Sequence, residues 1–452
     1  MRIRLAIAQD FLDLLSSIEG IFYGDIKNKT ITAITTDSRE CMEGDIFFAL
    51  SGNKYDGNDF IPEAIKKGAI PVGKAVKRYG IKVNSGNSAL LSFASHYKKK
   101  LPNLKHTIAI TGSVGKTTTK EMLKILSEST YKTHSTWENF NNEIGLSYTI
   151  LSSPLDTQVI IAELGMNHMG EIKVLSSALL PDTAIITKLG SAHIGNLGSI
   201  ENIAKAKLEI SNGLKGKLIL PSNEPLLSIP YQYIRYFSSN NNDANVSVIE
   251  NYFSQHELYI DGSLYQIFNL PFHADHINQC LAAAISGALA MGISLEEISK
   301  QILKINDTTL RHNMLKSTRG FFILDDSYNA SFESVCASLK MLDNIETKSK
   351  KHILLGDILE LGQLSHDIHY EIGKSIGLFN IDSIFLIGDF INYVAQGAID
   401  SGFEKRKIYI NNSVSSPEIT ASQICKVLKK NDIILAKASH EINLSRIINL
   451  IK

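Results

Sequence analysis

Extended and helical hydrophobic patterns alternate along the chain, beginning with a small unit at the N-terminus. Apolar runs predict strands over residues 30–35 and 46–50, with a Glu-Gly-Asp turn between them. A helical pattern follows over residues 59–67 and stops at Gly68, a residue type that commonly ends helices. Together these elements predict a small α/β unit that covers residues 1–85.

The next block has the pattern of a strand–helix–strand unit. An amphipathic helix is predicted over residues 88–100, and a strand over residues 106–110 leads through a glycine-containing turn into a helix from about Lys116. The run at residues 158–162 is continuously apolar, as expected for a parallel strand that is covered on both faces. A further strand over residues 183–187 indicates that the parallel sheet continues.

The last block repeats one arrangement, in which an apolar strand ends in polar residues and a helical segment follows. The strands are predicted over residues 321–324, 352–355, 383–387 and 432–436. This alternation predicts a parallel, Rossmann-like doubly wound sheet, whose ligands bind beyond the carboxyl ends of the strands. The whole sequence therefore predicts an α/β protein with a small N-terminal domain, a central parallel-sheet domain and a C-terminal doubly wound domain, at residues 1–85, 86–312 and 313–452.

The composition narrows the classes of partner. The 452-residue chain carries 46 basic and 46 acidic residues, so it has no global field for holding nucleic acid or an anionic membrane surface. The longest apolar run, residues 281–293, is too short to span a bilayer and predicts a buried helix. The four cysteines lie far apart with no paired spacing, which favours reduced thiols over disulfides or a zinc site. We therefore expect a cytoplasmic protein with neither nucleic acid nor membrane as a partner. We also expect a monomer that binds small molecules.

A glycine-containing loop between a strand and a helix predicts a phosphate-binding site. Residues 111–118 read Thr-Gly-Ser-Val-Gly-Lys-Thr-Thr, and in this context glycines, backbone amides and a helix N-terminus can wrap phosphates. Lys116 would neutralise phosphate charge, and the Thr117 hydroxyl can ligate Mg²⁺. Glu163 follows the next core strand and would complete a magnesium site. The structural alternatives are a plain glycine turn, and a helix N-cap or a surface salt bridge for Glu163.

Several segments of the chain resemble the Mur ligases. The short loop at residues 111–118 is similar to this family's form of the phosphate loop, and residues 139–145 (Asn-Phe-Asn-Asn-Glu-Ile-Gly) resemble its Asn-x-Asn-Asn-x-x-Gly segment. Residues 163–172 and 186–210 are similar to the blocks that carry the family's metal-binding glutamate, histidine and lysine. The resemblance covers nearly the whole chain.

This resemblance implies an ATP- and Mg²⁺-dependent ligase that forms amide bonds. Thr117 and Glu163 would hold the Mg²⁺ that bridges the ATP phosphates, and His193 would ligate a second Mg²⁺ on the acceptor side. Lys207 matches the lysine that is carbamylated in the family, and a carbamate offers anionic oxygens where an ammonium group would repel the metals. Without the resemblance, Lys207 would be interpreted as a surface lysine and His193 as an ordinary loop histidine.

Two C-terminal segments indicate one subfamily. Residues 325–330 (Asp-Asp-Ser-Tyr-Asn-Ala) and 356–362 (Gly-Asp-Ile-Leu-Glu-Leu-Gly) resemble signatures of the Mur ligases that add D-alanyl-D-alanine to UDP-N-acetylmuramoyl-tripeptide. Residues 37–39 and 44–50 resemble the N-terminal domain that holds the uridine end of this substrate. The implied product is UDP-N-acetylmuramoyl-pentapeptide for peptidoglycan synthesis, made through an acyl phosphate.

The same resemblance assigns the remaining binding residues. For Arg39 a plain salt bridge is the structural alternative, and for Arg311 a linker charge. The residues expected to bind ATP are Thr111, Gly112, Ser113, Val114, Gly115, Lys116, Thr117, Thr118, Asn278, Arg311 and Asp326. The residues expected to bind the other two substrates are Ser38, Arg39, Asn141, Asn142, Tyr328, Asn329 and Lys437.

Two other functions stay open. Residues 437–440 (Lys-Ala-Ser-His) resemble the Lys-Gly-His-Glu of the ligase that adds the preceding residue, lysine or diaminopimelate, although an Asn-Pro-Arg segment is missing from the sequence. Residues 276–280 match the family's adenine-contacting His-Asn-x-x-Asn segment only in part. A phosphate-loop switch or motor protein is the alternative of a different class. A guanine-nucleotide switch needs Asn-Lys-x-Asp at a strand end, whereas residues 187–190 read Thr-Lys-Leu-Gly.

Overall fold

The computed structural model describes residues 1–25, 30–52, 55–270, 274–305 and 313–452, and these residues form three β-sheets with helices packed on their faces. The predicted α/β class with three domains is confirmed. Each sheet contains a run of parallel strands, and helices connect most neighbours along the chain. Within the described part of the chain, no helix is long and apolar enough to cross a membrane.

The N-terminal sheet has six strands. Its elements are β1 (Arg2–Asp10), α1 (Phe11–Ser17), β2 (Ile21–Tyr23), β3 (Thr30–Thr35), β4 (Ile46–Phe48), α2 (Ile61–Lys66), β5 (Ile70–Gly73), β6 (Gly80–Lys82) and α3 (Gly86–Lys98). The order is β1-β3-β4-β5-β6-β2, and the two outer strands run antiparallel to their neighbours. The strand at residues 30–35 is confirmed. The predicted helix at residues 59–67 begins later, at Ile61, because a short 3₁₀ turn capped by Asp56 precedes it.

The middle sheet is the largest. Its elements are β7 (His106–Thr111), α4 (Lys116–Glu128), β8 (Thr133–Ser135), α5 (Glu143–Leu151), β9 (Val159–Glu163), α6 (Glu171–Leu179), β10 (Thr183–Ile186), α7 (Ile194–Leu197), α8 (Ile200–Leu208), β11 (Lys217–Pro221), β12 (Ile234–Ser238), β13 (Val246–Glu250), β14 (His256–Ile260), β15 (Ser263–Phe268), α9 (Asp275–Ala290) and α10 (Leu295–Ile302). The order is β15-β14-β13-β12-β11-β10-β7-β9-β8. Strand β14 pairs antiparallel with both β13 and β15, and the other pairings of the sheet are parallel. The predicted buried helix at residues 281–293 is the apolar part of α9.

The C-terminal sheet is doubly wound. Its elements are β16 (Asn313–Lys316), β17 (Phe322–Asp325), α11 (Phe332–Asn344), β18 (Lys351–Gly356), α12 (Ser365–Ile376), β19 (Ser383–Ile387), α13 (Ile391–Asp400), β20 (Ile408–Asn411), α14 (Pro417–Val427), β21 (Ile433–Lys437) and α15 (Ser445–Ile451). The order is β16-β17-β21-β18-β19-β20, and only the edge strand β16 is antiparallel. The four predicted strands of this block are β17, β18, β19 and β21.

Apolar packing joins the domains as well as filling them. Helices α4 and α9 cover one face of the middle sheet with a dense apolar layer. The opposite face is continuous with the core under α3, α5 and α6. Helix α3 lies at this junction, where the Ser95 hydroxyl donates to the Ala178 carbonyl at 2.7 Å and the Lys98 ammonium group donates to the Leu179 carbonyl. The N-terminal sheet is therefore fixed to the middle domain through α3.

Candidate active site

The glycine loop lies between β7 and α4, at the carboxyl edge of the middle sheet. Gly115 immediately precedes α4 and has a φ of +87°, and Gly112 has a φ of +155°. A Cβ atom at Gly112 would lie 1.9 Å from the Thr187 Oγ1, and one at Gly115 would lie 2.7 Å from the Cys280 Sγ. Both positions therefore require glycine. The first amide groups of α4 have no hydrogen-bond acceptor within the helix, so they are available to a ligand.

Thr117 and Glu163 meet beside this loop because β9 pairs with β7 in parallel. The Thr117 hydroxyl donates to Glu163 Oε2 at 2.8 Å, and the Asn141 amide donates to Glu163 Oε1 at 3.1 Å. The Glu163 side chain is buried. A buried carboxylate with a threonine hydroxyl beside a phosphate loop is a suitable oxygen donor pair for a hard divalent cation.

Two lysines lie near this pair, the half-buried Lys116 and the fully buried Lys207. The Lys116 ammonium group folds back and donates to the Gly112 carbonyl at 2.8 Å. Burial lowers the pKa of Lys116, and Glu163 partly opposes this shift. Lys207, on α8, is only 1% exposed, and burial together with the charge of Lys116 lowers its pKa well below the ordinary lysine value. A lysine in this environment tends towards the neutral amine.

The C-terminal domain supplies the facing wall. Lys437, the last residue of β21, is buried and places its Nζ 2.7 Å from Asp326 Oδ2 and 3.1 Å from the Asn329 carbonyl. The Ser338 hydroxyl donates to the same Asp326 oxygen at 2.5 Å. Both Asp326 and Lys437 lie at the carboxyl edge of the sheet, where doubly wound folds bind their ligands.

A cavity of about 340 Å³ separates these two walls. It brings together most of the residues that the sequence predicts for ATP, metal and substrate. The predicted residues that line it are Ser113, Val114, Gly115, Lys116, Thr117, Thr118, Asn141, Glu163, His193, Asp326, Tyr328, Asn329 and Lys437.

The chain is similar to proteins of one known family. Three family models match the chain: the Mur ligase family catalytic domain at residues 30–98, the Mur ligase middle domain at 110–287 and the Mur ligase glutamate ligase domain at 310–440. The chain is 34% identical to a UDP-N-acetylmuramoyl-tripeptide--D-alanyl-D-alanine ligase of Bacillus subtilis over 92% of each chain. This chain belongs to the Mur ligase family.

Solved structures of Mur ligases have the same fold. A crystal structure of MurF from Acinetobacter baumannii superimposes with a TM-score of 0.86, at 25% identity over 99% of each chain. The MurF ligase of Thermotoga maritima in complex with ADP gives a TM-score of 0.78, at 25% identity over 92% of this chain and 96% of that one. The sequence-based resemblance to the family is therefore confirmed.

In this Mur ligase, the predicted metal ligand His193 contacts the C-terminal domain. His193 Nδ1 lies 2.5 Å from the Glu360 carboxylate, and this contact lowers the pKa of Glu360. Among the described residues, no cluster of three or more histidine, cysteine, aspartate or glutamate side chains could hold a metal ion. The predicted ligands include a threonine and a lysine, so they do not require such a cluster.

Some predicted residues lie away from the cavity lining. Asn142 caps α5 by accepting from the Gly145 amide at 2.9 Å, and the Ser38 hydroxyl donates to Glu63 at 2.6 Å. Arg39 is paired with Asp37 at 2.7 Å, the salt bridge that was the alternative for it. This pairing lowers the pKa of Asp37 to about 2. The prediction for Arg311 lies outside the described residues.

Four further predicted residues, Thr111, Gly112, Lys207 and Asn278, are not among the residues that line the cavity. Thr111 ends β7, and its buried hydroxyl donates to the Leu164 carbonyl at 2.8 Å. Asn278 is fully buried on α9, close to the lining residues His276, Ile277 and Cys280. Within the described structure, neither polar atom of the Asn278 side chain has a hydrogen-bond partner.

The cavity also includes residues that sequence reasoning missed. Cys280 lies against Gly115, and burial raises the pKa of its thiol to about 11, so it acts as an apolar wall. Ser338 shares Asp326 with Lys437. The sequence did contain a signal for Ser338, because it lies at helical spacing from Ser334 and both face the cavity.

Proposed function

We propose that this Mur ligase joins D-alanyl-D-alanine to UDP-N-acetylmuramoyl-tripeptide at the expense of ATP, giving UDP-N-acetylmuramoyl-pentapeptide. One observation carries the proposal: the phosphate loop with Thr117 and Glu163 faces the Asp326–Lys437 pair across a single cavity. The relatives from Bacillus subtilis and Haemophilus influenzae carry the name of this activity.

The nucleotide half of the cavity fits ATP. The loop around Gly112 and Gly115 leaves room for phosphate oxygens next to the backbone amides of α4. The buried, unpaired amide of Asn278 offers one donor and one acceptor, which is the pattern that an adenine edge satisfies. An unpaired buried amide costs about 1 to 3 kcal/mol, so adenine binding would recover this loss.

The residues present also fit two magnesium ions. Thr117 and Glu163 would hold the ion at the ATP phosphates, and His193 with a carbamylated Lys207 would hold the acceptor-side ion. The low pKa of Lys207 supports the modification, because only a neutral amine reacts with carbon dioxide. When bound, Mg²⁺ neutralises phosphate charge and polarises the acceptor carboxylate.

The chemistry requires activation of a carboxylate before an amine can attack it. The tripeptide carboxylate attacks the γ-phosphorus of ATP, the bond to the ADP oxygen breaks, and an acyl phosphate forms. Lys116 and the loop amides stabilise the charge on the transferring group. The dipeptide amine then attacks the acyl carbon, phosphate leaves, and the amine gives up a proton. The C-terminal wall with Asp326 and Lys437 excludes water, which would otherwise hydrolyse the acyl phosphate.

The preceding ligase of the pathway is the nearest alternative. The segment Lys-Ala-Ser-His at residues 437–440, which resembles the Lys-Gly-His-Glu of that ligase, faces the cavity, because both Lys437 and His440 line it. The His440 ring packs edge-on against Tyr328 at 5.8 Å, so it contacts the segment that indicates the D-alanyl-D-alanine-adding subfamily. We therefore interpret His440 as part of the dipeptide pocket of this enzyme.

A phosphate-release assay with two substrate pairs tests the proposal. Purified protein receives ATP and Mg²⁺ with either UDP-N-acetylmuramoyl-tripeptide and D-alanyl-D-alanine, or the dipeptide precursor and lysine or diaminopimelate. We expect phosphate release only with the first pair and a pentapeptide product by mass. Release only with the second pair would assign the preceding step, and release without any acceptor would favour a nucleotide switch. The proposal includes a monomeric, cytoplasmic enzyme, which light scattering and cell fractionation would test.

A further inference from the structure

One loop of the middle domain is held by the C-terminal domain at three points. Glu333 accepts from the Ser191 amide at 2.8 Å and from the Ser191 hydroxyl at 3.1 Å. Glu360 Oε2 lies 2.5 Å from His193 Nδ1, and the Glu360 carbonyl accepts from the Gly195 amide at 3.0 Å. The segment that carries a predicted metal ligand therefore also contacts the other domain.

Glu360 is held rigidly before it reaches across the domain boundary. It has a φ of +63°, an unfavourable value for a glutamate, which persists only where the surroundings fix it. The preceding amides are both engaged: Ile358 N–H donates to His369 Nε2 at 3.0 Å, and Leu359 N–H donates to the Ser439 hydroxyl at 2.9 Å. The backbone of the turn that carries Glu360 is therefore held by bonds within the C-terminal domain.

The contact determines which nitrogen of His193 can bind a metal. Nδ1 lies against the Glu360 carboxylate, although not at a hydrogen-bonding angle, so Nε2 is the nitrogen left for a metal while the domains are docked. Metal-binding histidines usually donate from the second ring nitrogen to a carboxylate that fixes the tautomer and the ring plane, and a small rotation of either side chain would give Nδ1 and Glu360 that bond. His193 itself has a φ of +66° immediately before α7, so its backbone is also fixed.

We propose that Glu360 is the positioning residue for His193, so that the acceptor-side metal site is complete only when the C-terminal domain is docked. This inference rests on the proposed function, because it assumes that His193 binds a metal. By linkage, an ion bound at His193 must favour docking to the same extent that docking favours the ion. Glu360 thereby connects domain closure to the metal that orients the acceptor carboxylate.

Binding of Mn²⁺ tests the proposal without any turnover. The full chain, with bicarbonate and a non-hydrolysable ATP analogue, is titrated with Mn²⁺ and the free ion is followed by electron paramagnetic resonance. The variants are Glu360→Ala, which removes the carboxylate, and Glu360→Gln, which keeps a hydrogen-bond acceptor for Nδ1. Lys340→Ala is the matched control, because Lys340 and Asp275 form another ion pair between these domains, at 2.7 Å and with both side chains exposed.

We expect two classes of Mn²⁺ site in the wild type. Glu360→Ala should weaken one class by about 10- to 100-fold, the usual effect of losing such an outer partner, and should leave the nucleotide-linked class unchanged. Glu360→Gln should lose less Mn²⁺ affinity at that class of site, and Lys340→Ala should bind Mn²⁺ as the wild type does. Equal binding in all four proteins, a single site in the wild type, or equal loss at both sites in both Glu360 variants would overturn the proposal.

A scattering measurement provides the second readout. In the wild type, Mn²⁺ should lower the radius of gyration because it favours docking, and in Glu360→Ala this response should be absent while the fold, judged by circular dichroism, is kept. An unchanged response in Glu360→Ala would also overturn the proposal. Two wild-type sites that are unaffected in Glu360→Ala would reject the role of Glu360 alone, whereas a single wild-type site would reject the metal at His193 as well. Since neither measurement contains tripeptide or D-alanyl-D-alanine, both results leave the proposed ligase reaction to its own assay.

Discussion

The Thr117 hydroxyl donates to the Glu163 carboxylate at 2.8 Å, joining the first turn of α4 to the end of β9. Both groups would contact the same magnesium ion, so their substitutions should not be additive. We expect Thr117→Val to lower kcat/KM by about 10²- to 10³-fold, the cost of one preorganised polar contact. The double variant Thr117→Val/Glu163→Gln should have a kcat/KM only a little below that of Glu163→Gln alone. Steady-state kinetics of the double-mutant cycle measure this, with Thr130→Val, an exposed threonine just beyond α4, as the control.

Gly115 and Gly292 provide a matched pair of substitutions. Their φ values, +87° and +81°, are nearly equal, but a Cβ atom at Gly115 would lie 2.7 Å from Cys280 Sγ, whereas at Gly292 no described heavy atom lies within 4 Å. Gly292→Ala should lower the free energy of unfolding by about 1 to 2 kcal/mol from backbone strain alone. Gly115→Ala should lower the free energy of unfolding by about 1 to 3 kcal/mol more than Gly292→Ala, because its methyl group overpacks the site.

Gly115→Ala should also lose ATP affinity, because the added methyl group forces the phosphate loop out of shape. Chemical denaturation and calorimetric titration with ATP separate the two effects. Equal stability and equal ATP affinity of the two variants would contradict the steric argument at Gly115.

Lys207 is expected to act as its carbamate. Lys207→Ala should lower activity by at least about 100-fold, as loss of a ligand group does, and short carboxylic acids should restore much of it by supplying the missing anionic oxygens. Lys205→Ala, an exposed lysine two residues earlier on α8, should behave as the wild type. Wild-type activity of Lys207→Ala without any added acid would exclude this role.

Lys98 should make the stability depend on pH in a predictable direction. Burial lowers its pKa from 10.5 to about 8, so below pH 8 the folded state must bury an ammonium group that water solvates in the unfolded chain. Between about pH 8 and 10.5 the unfolded state binds more protons at this residue, so its destabilising contribution disappears as the pH rises.

Lys98→Met should therefore stabilise the protein at pH 7 by about 2 to 3 kcal/mol, and the difference from the wild type should vanish near pH 10.5. Chemical denaturation at a series of pH values measures it, with Lys99→Met, at the exposed neighbouring position, as the control. A constant difference across this pH range would show that Lys98 keeps its ordinary pKa in the folded state.

The sequence alone predicts elements whose signal is local. The strand β7, the loop after it and the start of α4 at Lys116 follow from a short run of residues, and so do the four parallel strands of the last block. By contrast, β1 was missed although Ile3 and Leu5 alternate with exposed neighbours, because its pairing partner lies beyond residue 29. The antiparallel strands β14, β15 and β16 were also missed, although each pairs with a strand that is close in sequence.

The candidate site divides in a similar way. The residues of the glycine loop are adjacent in sequence, so their joint position could be predicted from the motif. The contact between His193 and Glu360 joins side chains from two domains, and residue types alone carry no information on this distance. The helical pattern alone predicts that Lys207 is a surface lysine. Its complete burial follows from the packing around α8, which the local sequence does not show.

Gly195 and Gly362 face each other where the middle and C-terminal domains touch, and a Cβ atom at Gly195 would lie only 2.5 Å from the Gly362 amide nitrogen. Real Cβ atoms stay beyond 3.0 Å from such neighbours, so the two backbones can approach this closely only because Gly195 has no side chain. A methyl group added at Gly195 would push the two domains apart at this contact, with every residue of the chemistry still in place.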